Sequence, residues 1–279
     1  MKLEFTKMHG CGNDYIFIDC FKREIKDPQS LAVRLSDRHF GVGGDGIVLI
    51  GPAAEADAEM RMFNSDGSEG RMCGNALRCC AKYLYDSGLV KKTKMSIDTL
   101  SGIKEVTLLF DGEEVSAAKA DMGSAVLSPE LIPVNLEGEN VISRDLSFGE
   151  LNFSVTCVSM GNPHAVIFCS GPDNISLHEI GPLIENDTIF PEKTNAEFVQ
   201  AIDRNTLKMR VWERGSGETL ACGTGACAAA AAAVLNGYCS EGEDITVILP
   251  GGELIINYSQ DTVFMSGECV KVFDGTVYL

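Results

Sequence analysis

The chain aligns with itself at a displacement of 149 residues, as Cys73 and Cys222 show (222 − 73 = 149), and this repeat constrains the fold more than any other feature. NDYIFIDC at 13–20 falls on NPHAVIFC at 162–169, and MRMFN at 60–64 falls on MRVWE at 209–213. Glu69 meets Glu218, Cys73-Gly74 meets Cys222-Gly223, Gly88 meets Gly237, and LSG at 100–102 meets LPG at 249–251. No gap is needed over roughly the first 130 residues of the repeat, so one supersecondary pattern is built twice. A length of 279 residues suits two domains, each large enough to bury a core.

Within each copy, alternating runs rich in Val, Ile, Phe and Thr predict strands over 3–8, 15–20, 47–50, 60–64, 95–100 and 103–109, with partners after 150. Two helices interrupt them. The first is expected over 28–37, with Asp27 as N-cap and Pro28 at the first helical position, and over 177–186 behind Ser176. The second opens at Gly74 or Gly223 and closes near Gly88 or Gly237, where glycine adopts a left-handed C-cap. Helix 74–87 is apolar around much of its girth and helix 223–236 is almost all alanine, so sheet must surround both. The expected class is α+β: two pseudo-symmetric domains, each a mainly antiparallel or mixed sheet curled around a central helix. Their expected bounds are 1–120 with 266–279, and 121–265.

Acidic residues outnumber basic ones by 40 to 23, a net charge of −17, which argues against nucleic acid or an anionic membrane as partner. The N-terminal MKLEFTKMHG carries no apolar signal run, and the small-residue stretch 225–235 is too short to span a bilayer. A cytoplasmic protein is expected. Its eleven cysteines are then reduced thiols, and the absence of any Cys-x-x-Cys weakens zinc and thioredoxin-type readings.

Cys73 and Cys222 both precede a helix after a glycine-rich loop. A thiol with a free pKa of about 8.5 is lowered at a helix N-terminus. The first helical N–H groups, on Gly74, Asn75, Gly223 and Thr224, offer a carboxylate site beside it. Were the repeats to face each other about a pseudo-twofold axis, one thiol would remove a proton from a carbon and the other would return one to the opposite face. The reaction class is racemisation or epimerisation next to a carboxylate. The other nine cysteines read as small buried hydrophobes. GTGACA at 223–228 fits a dinucleotide fingerprint only loosely, because no strand runs into its first glycine. GVGGDG at 41–46 lacks a Gly-Lys-Ser/Thr ending and reads as a tight turn. Asn13, Asn64, Asn162 and Asn195 lie at strand ends and are candidate ligand groups, with Asn64 paired in the repeat to Glu213. His164 is a candidate partner for a thiol, and Arg214 is the candidate to grip a carboxylate with both prongs.

KMHGCGNDYIFID, DRHFGVGGDG, NSDGSEGRMCGNALRC, MGNPHAVIF, TNAEFV and VWERGSGETLACGTGACA together resemble the motifs of the diaminopimelate epimerase family along the whole chain. Related proline racemases and hydroxyproline epimerases typically read Cys-Gly-His where this chain has Cys73-Gly74-Asn75. The resemblance implies conversion of LL- to meso-diaminopimelate without pyridoxal phosphate or metal, by a homodimer. It implies Cys73 and Cys222 as acid and base, with His164 and Glu213 assisting. Gly74, Asn75, Gly223 and Thr224 would hold the carboxylate at the reacting carbon, and Asn64, Asn162, Asn195 and Arg214 the distal end, with Asn13 and Glu213 lining the site. It implies, too, that the strand near 116–122 joins the second domain and that the last strand, near 268–273, returns to the first. Many members carry glutamine where this chain has Gly46, so a contact made there elsewhere would be missing or come from backbone or water.

Overall fold

A computed structural model describes residues 2–279. The chain forms two compact units: one runs to Asp121 and resumes over Ser266–Leu279, the other is Met122–Met265. The first contains β1 (Lys2–Gly10), β2 (Asn13–Asp19), α1 (Pro28–Ser36), β3 (Gly46–Gly51), β4 (Ala58–Asn64), β5 (Glu69–Gly70), α2 (Gly74–Asp86), β6 (Lys94–Asp98), β7 (Lys104–Asp111) and β8 (Glu114–Asp121). The second opens with β9 (Arg144–Phe148), β10 (Leu151–Ser159) and β11 (Pro163–Phe168), then α3 (Leu177–Glu185). It continues through β12 (Asn195–Asp203), β13 (Thr206–Glu213), β14 (Gly217–Thr219), α4 (Gly223–Leu235), β15 (Asp244–Leu249) and β16 (Gly252–Tyr258). β17 (Val263–Glu268) and β18 (Val270–Tyr278) end the chain.

In the first unit β18 pairs antiparallel with β1, β1 with β2, β3 with β4, β6 with β7 and β7 with β8. β2–β3 and β4–β6 are parallel. Parallel neighbours need a crossover, and α1 and α2 are those crossovers. The strand expected to join the second domain, near 116–122, is β8, which pairs with β7 and also with β17.

Through the second helix the repeat holds to the residue. α1 and α2 recur as α3 and α4, each 149 residues on (177 − 28 and 223 − 74). The ladders recur in the same register: Tyr15↔Gly46 becomes His164↔Asn195, and Ile47↔Phe63 becomes Ala196↔Trp212. Past the second helix the match slips by one, because Ala58 pairs with Ile97 whereas Leu207 pairs with Val247 (97 + 149 = 246).

Patterning explains the layers. α1 has one apolar face, and Leu31, Ala32 and Leu35 pack with Ile16, Ile18, Ile47, Leu49 and Phe63 on one side of the sheet. In the second unit Leu177 and Ile184 of α3 do the same with Ile167, Ala196 and Phe198. α2 touches β1, β2, β4, β6, β7 and β8, and α4 touches β10, β11, β12, β13, β15 and β16, so each is wrapped by strands. The alanine run 228–233 is wholly buried, the small side chains letting strands approach on all sides.

Caps set the boundaries. Asp27 accepts the Ser30 N–H at 3.1 Å, a bond worth about 1 kcal/mol. Ser176 occupies the matching N-cap, but its side chain makes no capping bond. Gly88 and Gly237 close α2 and α4 with φ of 71° and 76°, the left-handed conformation expected of them. Among the described residues no cysteine is in a disulfide, no cluster of three or more His, Cys, Asp or Glu could hold a metal ion, and no helix is long and apolar enough to cross a membrane.

Candidate active site

In the first unit, Cys11 (φ 53°) and Gly12 (φ 77°) turn the chain sharply between β1 and β2, which places Asn13 at the head of β2. Cys73 is the extended N-cap residue of α2, with φ −133° and ψ 123°. Its side chain does not cap the helix. The thiol donates instead to Asn13 Oδ1 at 3.3 Å, and Asn75 Nδ2 donates to the same oxygen at 3.3 Å. The fully buried Arg78 fixes Asn75 in turn, donating to its Oδ1 at 2.8 Å.

The far side of the Asn13 amide is also held. Asn13 Nδ2 donates to Asp45 Oδ2 at 2.7 Å, so the sense of the amide is set and its oxygen faces sulfur. Arg38 bridges Asp45 at 3.1 Å and Asp14 at 2.9 Å, and Lys7 meets Asp14 at 2.5 Å. Burial works to raise the Asp14 carboxyl, but hydrogen bonds and charge from Arg38 and Lys7 prevail and hold it below its ordinary value. Tyr15, two residues along the same face of β2, is almost wholly buried and hydrogen-bonds to Cys73 and Asn13. Burial, then the charge of Cys73, pushes its phenol well up. Asn64 does not join this group: its amide donates to Ser68 Oγ at 3.0 Å and serves the β4–β5 turn.

Gly46 has a steric cause. A Cβ there would stand 2.1 Å from the Phe63 carbonyl oxygen, so this backbone admits no side chain at that position.

In the second unit Cys222 is the N-cap of α4, and its sulfur accepts the Gly225 N–H at 3.3 Å and lies 3.5 Å from Thr224 Oγ1. Glu213, at the end of β13, is hydrogen-bonded to the Cys222 side chain and also accepts the Thr219 hydroxyl. The lowering expected of a thiol at a helix N-terminus is not found at Cys222. Burial, then the carboxylates of Glu213 and Glu197, pushes it well above its ordinary value, outweighing the Gly225 N–H and the Thr224 hydroxyl. Burial likewise raises Glu213. Cys222 thus sits as a thiol whose deprotonation is disfavoured, beside the Glu213 carboxyl group.

His164 is fully buried on β11, with Nδ1 2.6 Å from Glu197 Oε1 and Nε2 3.1 Å from Asn162 Oδ1. Asn195 is tied to the backbone: Nδ2 donates to Pro163 O at 2.7 Å and Oδ1 accepts the Arg214 N–H at 2.9 Å. Arg214 is exposed and gives one guanidinium hydrogen to Glu192 O at 3.0 Å. A Cβ on Gly225 would lie 2.8 Å from Glu197 Oε1 and would push that carboxylate from its place.

The structure therefore gathers Cys73, Asn13 and Asn75 in one unit, with Gly74 opening α2, and Cys222, Glu213, Gly223 and Thr224 in the other, with His164 against Asn162. Sequence reasoning missed Tyr15, Asp45 and Glu197. One signal was present: at the 149-residue displacement Tyr15 falls on His164 (164 − 15 = 149).

A family model described as diaminopimelate epimerase matches residues 5–128 and 156–272. The chain belongs to the diaminopimelate epimerase family. Relatives bearing that name include one from Acetivibrio thermocellus, 52% identical over 279 residues and covering 99% of both chains. Another, from Methanococcus maripaludis, is 49% identical over 277 residues, again with 99% of both covered. Among solved structures, a hydroxyproline epimerase from Agrobacterium vitis superposes with a TM-score of 0.68 at 13% identity, over 99% of this chain and 91% of that one. A phenazine biosynthesis protein of the PhzF family from Bacillus anthracis gives 0.70 at 16% identity, with both chains fully covered. At such identities the likeness is of fold. This chain thus shares its fold with proteins of other names.

Proposed function

We propose that this member of the diaminopimelate epimerase family interconverts LL- and meso-2,6-diaminopimelate by two proton transfers, one at each of two cysteines. The observation that carries the reading is the recurrence of an N-cap thiol, Cys73 and Cys222, at matched places of a repeat whose full length aligns with diaminopimelate epimerases. One thiolate takes the α-proton, forming S–H and leaving the electron pair on carbon. The other thiol gives its proton to the opposite face of that carbon and becomes the thiolate. Direction of reaction decides which sulfur starts as base, and no cofactor is needed to balance the exchange.

The α-proton of an amino acid is a weak acid, so the negative charge that grows toward the carboxylate must be stabilised. The first N–H groups of a helix have no partner within the helix and favour an anion. On this reading Gly74, Asn75, Gly223 and Thr224 supply them. Glu213 assists Cys222 and His164 assists through Asn162. Asn64, Asn195 and Arg214 keep donors for the distal amino-acid end: each asparagine amide carries two hydrogens and the guanidinium five, and in each one is engaged. Asn13 and Glu213 line the site. We take the working form to be a cytoplasmic homodimer, on the family resemblance; light scattering of the purified protein checks the stoichiometry.

The test is incubation with LL-diaminopimelate in heavy water, with α-deuterium followed by NMR beside Cys73→Ala and Cys222→Ala. Deuterium accompanied by meso product, reduced by about 10²–10⁴-fold in each variant, is the expected outcome. A folded, reduced wild type that exchanges no α-hydrogen on this substrate, but does so on another amino acid, assigns a racemase of different specificity.

A further inference from the structure

The geometry points to Glu197 as a positioning residue that acts through His164 on Asn162 and makes the Asn162 amide a hydrogen-bond donor toward a carboxylate of the ligand. This deepens the epimerase reading, and its activity test rests on that reading.

β11 and β12 run parallel with His164 opposite Asn195 and Val166 opposite Glu197, so Glu197 lies two residues beyond the partner of His164, on the same face. Both side chains are fully buried. Each imidazole nitrogen faces an oxygen: Nδ1 meets Glu197 Oε1 at 2.6 Å and Nε2 meets Asn162 Oδ1 at 3.1 Å. A buried carboxylate needs a compensating charge, and among the described residues His164 is its hydrogen-bonded partner. Both ring nitrogens therefore point at oxygen acceptors, Nδ1 at Glu197 Oε1 and Nε2 at Asn162 Oδ1, an arrangement in which a second proton, on Nε2, is donated to Asn162.

That second proton decides what Asn162 shows to a ligand. With Oδ1 taken by His164, the amide turns its NH2 outward, which suits a carboxylate and rejects an ammonium group. The arrangement belongs to the second repeat alone. At the positions of His164 and Glu197 the first repeat has Tyr15 and Val48, and the Asn13 oxygen faces Cys73 (197 − 48 = 149). Glu197 Oε2, moreover, is buried with no hydrogen-bond partner among the described residues. Such an oxygen is destabilising, and a valine like Val48 would avoid it. Retaining a carboxyl group here fits a task beyond packing.

The test uses the ligand-free protein labelled with ¹⁵N-histidine, with His164 assigned by the resonances lost in His164→Gln. Wild type is expected to show a proton bonded to Nε2 together with a strongly deshielded proton bridging Nδ1. A bare Nε2 in wild type overturns the proposal, since Asn162 must then be reversed. Glu197→Gln is expected to abolish the bridging proton; an unchanged imidazole spectrum in that variant also overturns it. In the activity arm, Glu197→Gln should raise KM for diaminopimelate about tenfold, on top of the change in kcat that removing a charge near Cys222 brings. A fall in kcat with KM unchanged would show that Glu197 acts on chemistry and not on recognition. Because the spectra need no substrate, an error in the substrate assignment leaves the imidazole result standing.

Discussion

Cys73 and Cys222 hold the same helical position but turn their sulfurs differently: Cys222 accepts the Gly225 N–H at 3.3 Å, whereas Cys73 donates to Asn13 Oδ1 at 3.3 Å. The two thiols share backbone geometry and differ in their neighbours. The second has the carboxyl group of Glu213 beside it, while the matching residue of the first repeat, Asn64, is engaged in a turn.

Replacing Glu213 by glutamine removes a negative charge that, after burial, is the largest influence raising the Cys222 thiol. The thiolate fraction at pH 8 should increase, and alkylation of Cys222 by iodoacetamide should accelerate about tenfold for each pKa unit regained. Peptide mapping of the modified protein measures this. Slower alkylation in Glu213→Gln would remove Glu213 from the account of that thiol.

Tyr15→Phe keeps the ring that fills the interior and deletes only the hydroxyl bonded to Cys73. We expect stability to fall by about 1 kcal/mol and Cys73 alkylation to slow about tenfold, because a thiolate loses a donor. Epimerisation should fall with it. A variant that alkylates at the wild-type rate would show the phenol to be packing alone.

Gly46→Ala should destabilise by about 3 kcal/mol, since the new Cβ would overlap the Phe63 carbonyl oxygen and force β3 away from β4. Urea unfolding reads this directly. A neutral substitution would mean that the strand pair yields more readily than its ladder suggests.

Alkaline solution should weaken the fold. Nine thiols, those of Cys11, Cys20, Cys79, Cys80, Cys157, Cys169, Cys222, Cys239 and Cys269, are raised by burial, with Cys80 beyond the ordinary range and Cys157 at about 12. Above the unfolded thiol value, near 9, the unfolded chain loses protons that the native chain keeps, so stability decreases as pH rises. The fully buried thiols of Cys79, Cys80, Cys157 and Cys222 each cost up to about 1.4 kcal/mol of stability per pH unit, and the partly exposed ones less, because solvent screens them. Urea midpoints between pH 8 and 10.5 should fall steeply, and less steeply in Cys80→Ala compared at the same pH values.

The repeat, the four long helices and the two N-cap thiols were legible because they depend on local pattern. Pro28 behind Asp27 announces α1, and Gly74 and Gly223 announce the buried helices. What was not legible lies across ladders. Glu197 meets His164 only because β12 lies parallel to β11 in one register, and no spacing along the chain encodes that pairing. Asp45 reaches Asn13 through the equivalent β2–β3 pairing, from a loop read as a simple turn. The rise of the Cys222 thiol was missed for a related reason. A helix N-terminus can be read from sequence, whereas the burial and carboxylates that override it depend on tertiary packing. Asn64 and Asn195 look from sequence like ligand groups alone, yet each also gives one amide hydrogen to the protein, Asn64 to the Ser68 hydroxyl and Asn195 to the Pro163 carbonyl.

A scaffold duplicated to the residue through the second helix, with the β2–β3 register repeated in β11–β12, gives this molecule an internal control. Matched pairs such as Asn64 and Glu213, or Tyr15 and His164, can be transposed between the halves, so that one sulfur inherits the surroundings of its twin while the main chain around it stays the same. What ancestry made identical, subsequent divergence has made chemically handed, and the difference can be read by exchange within a single polypeptide.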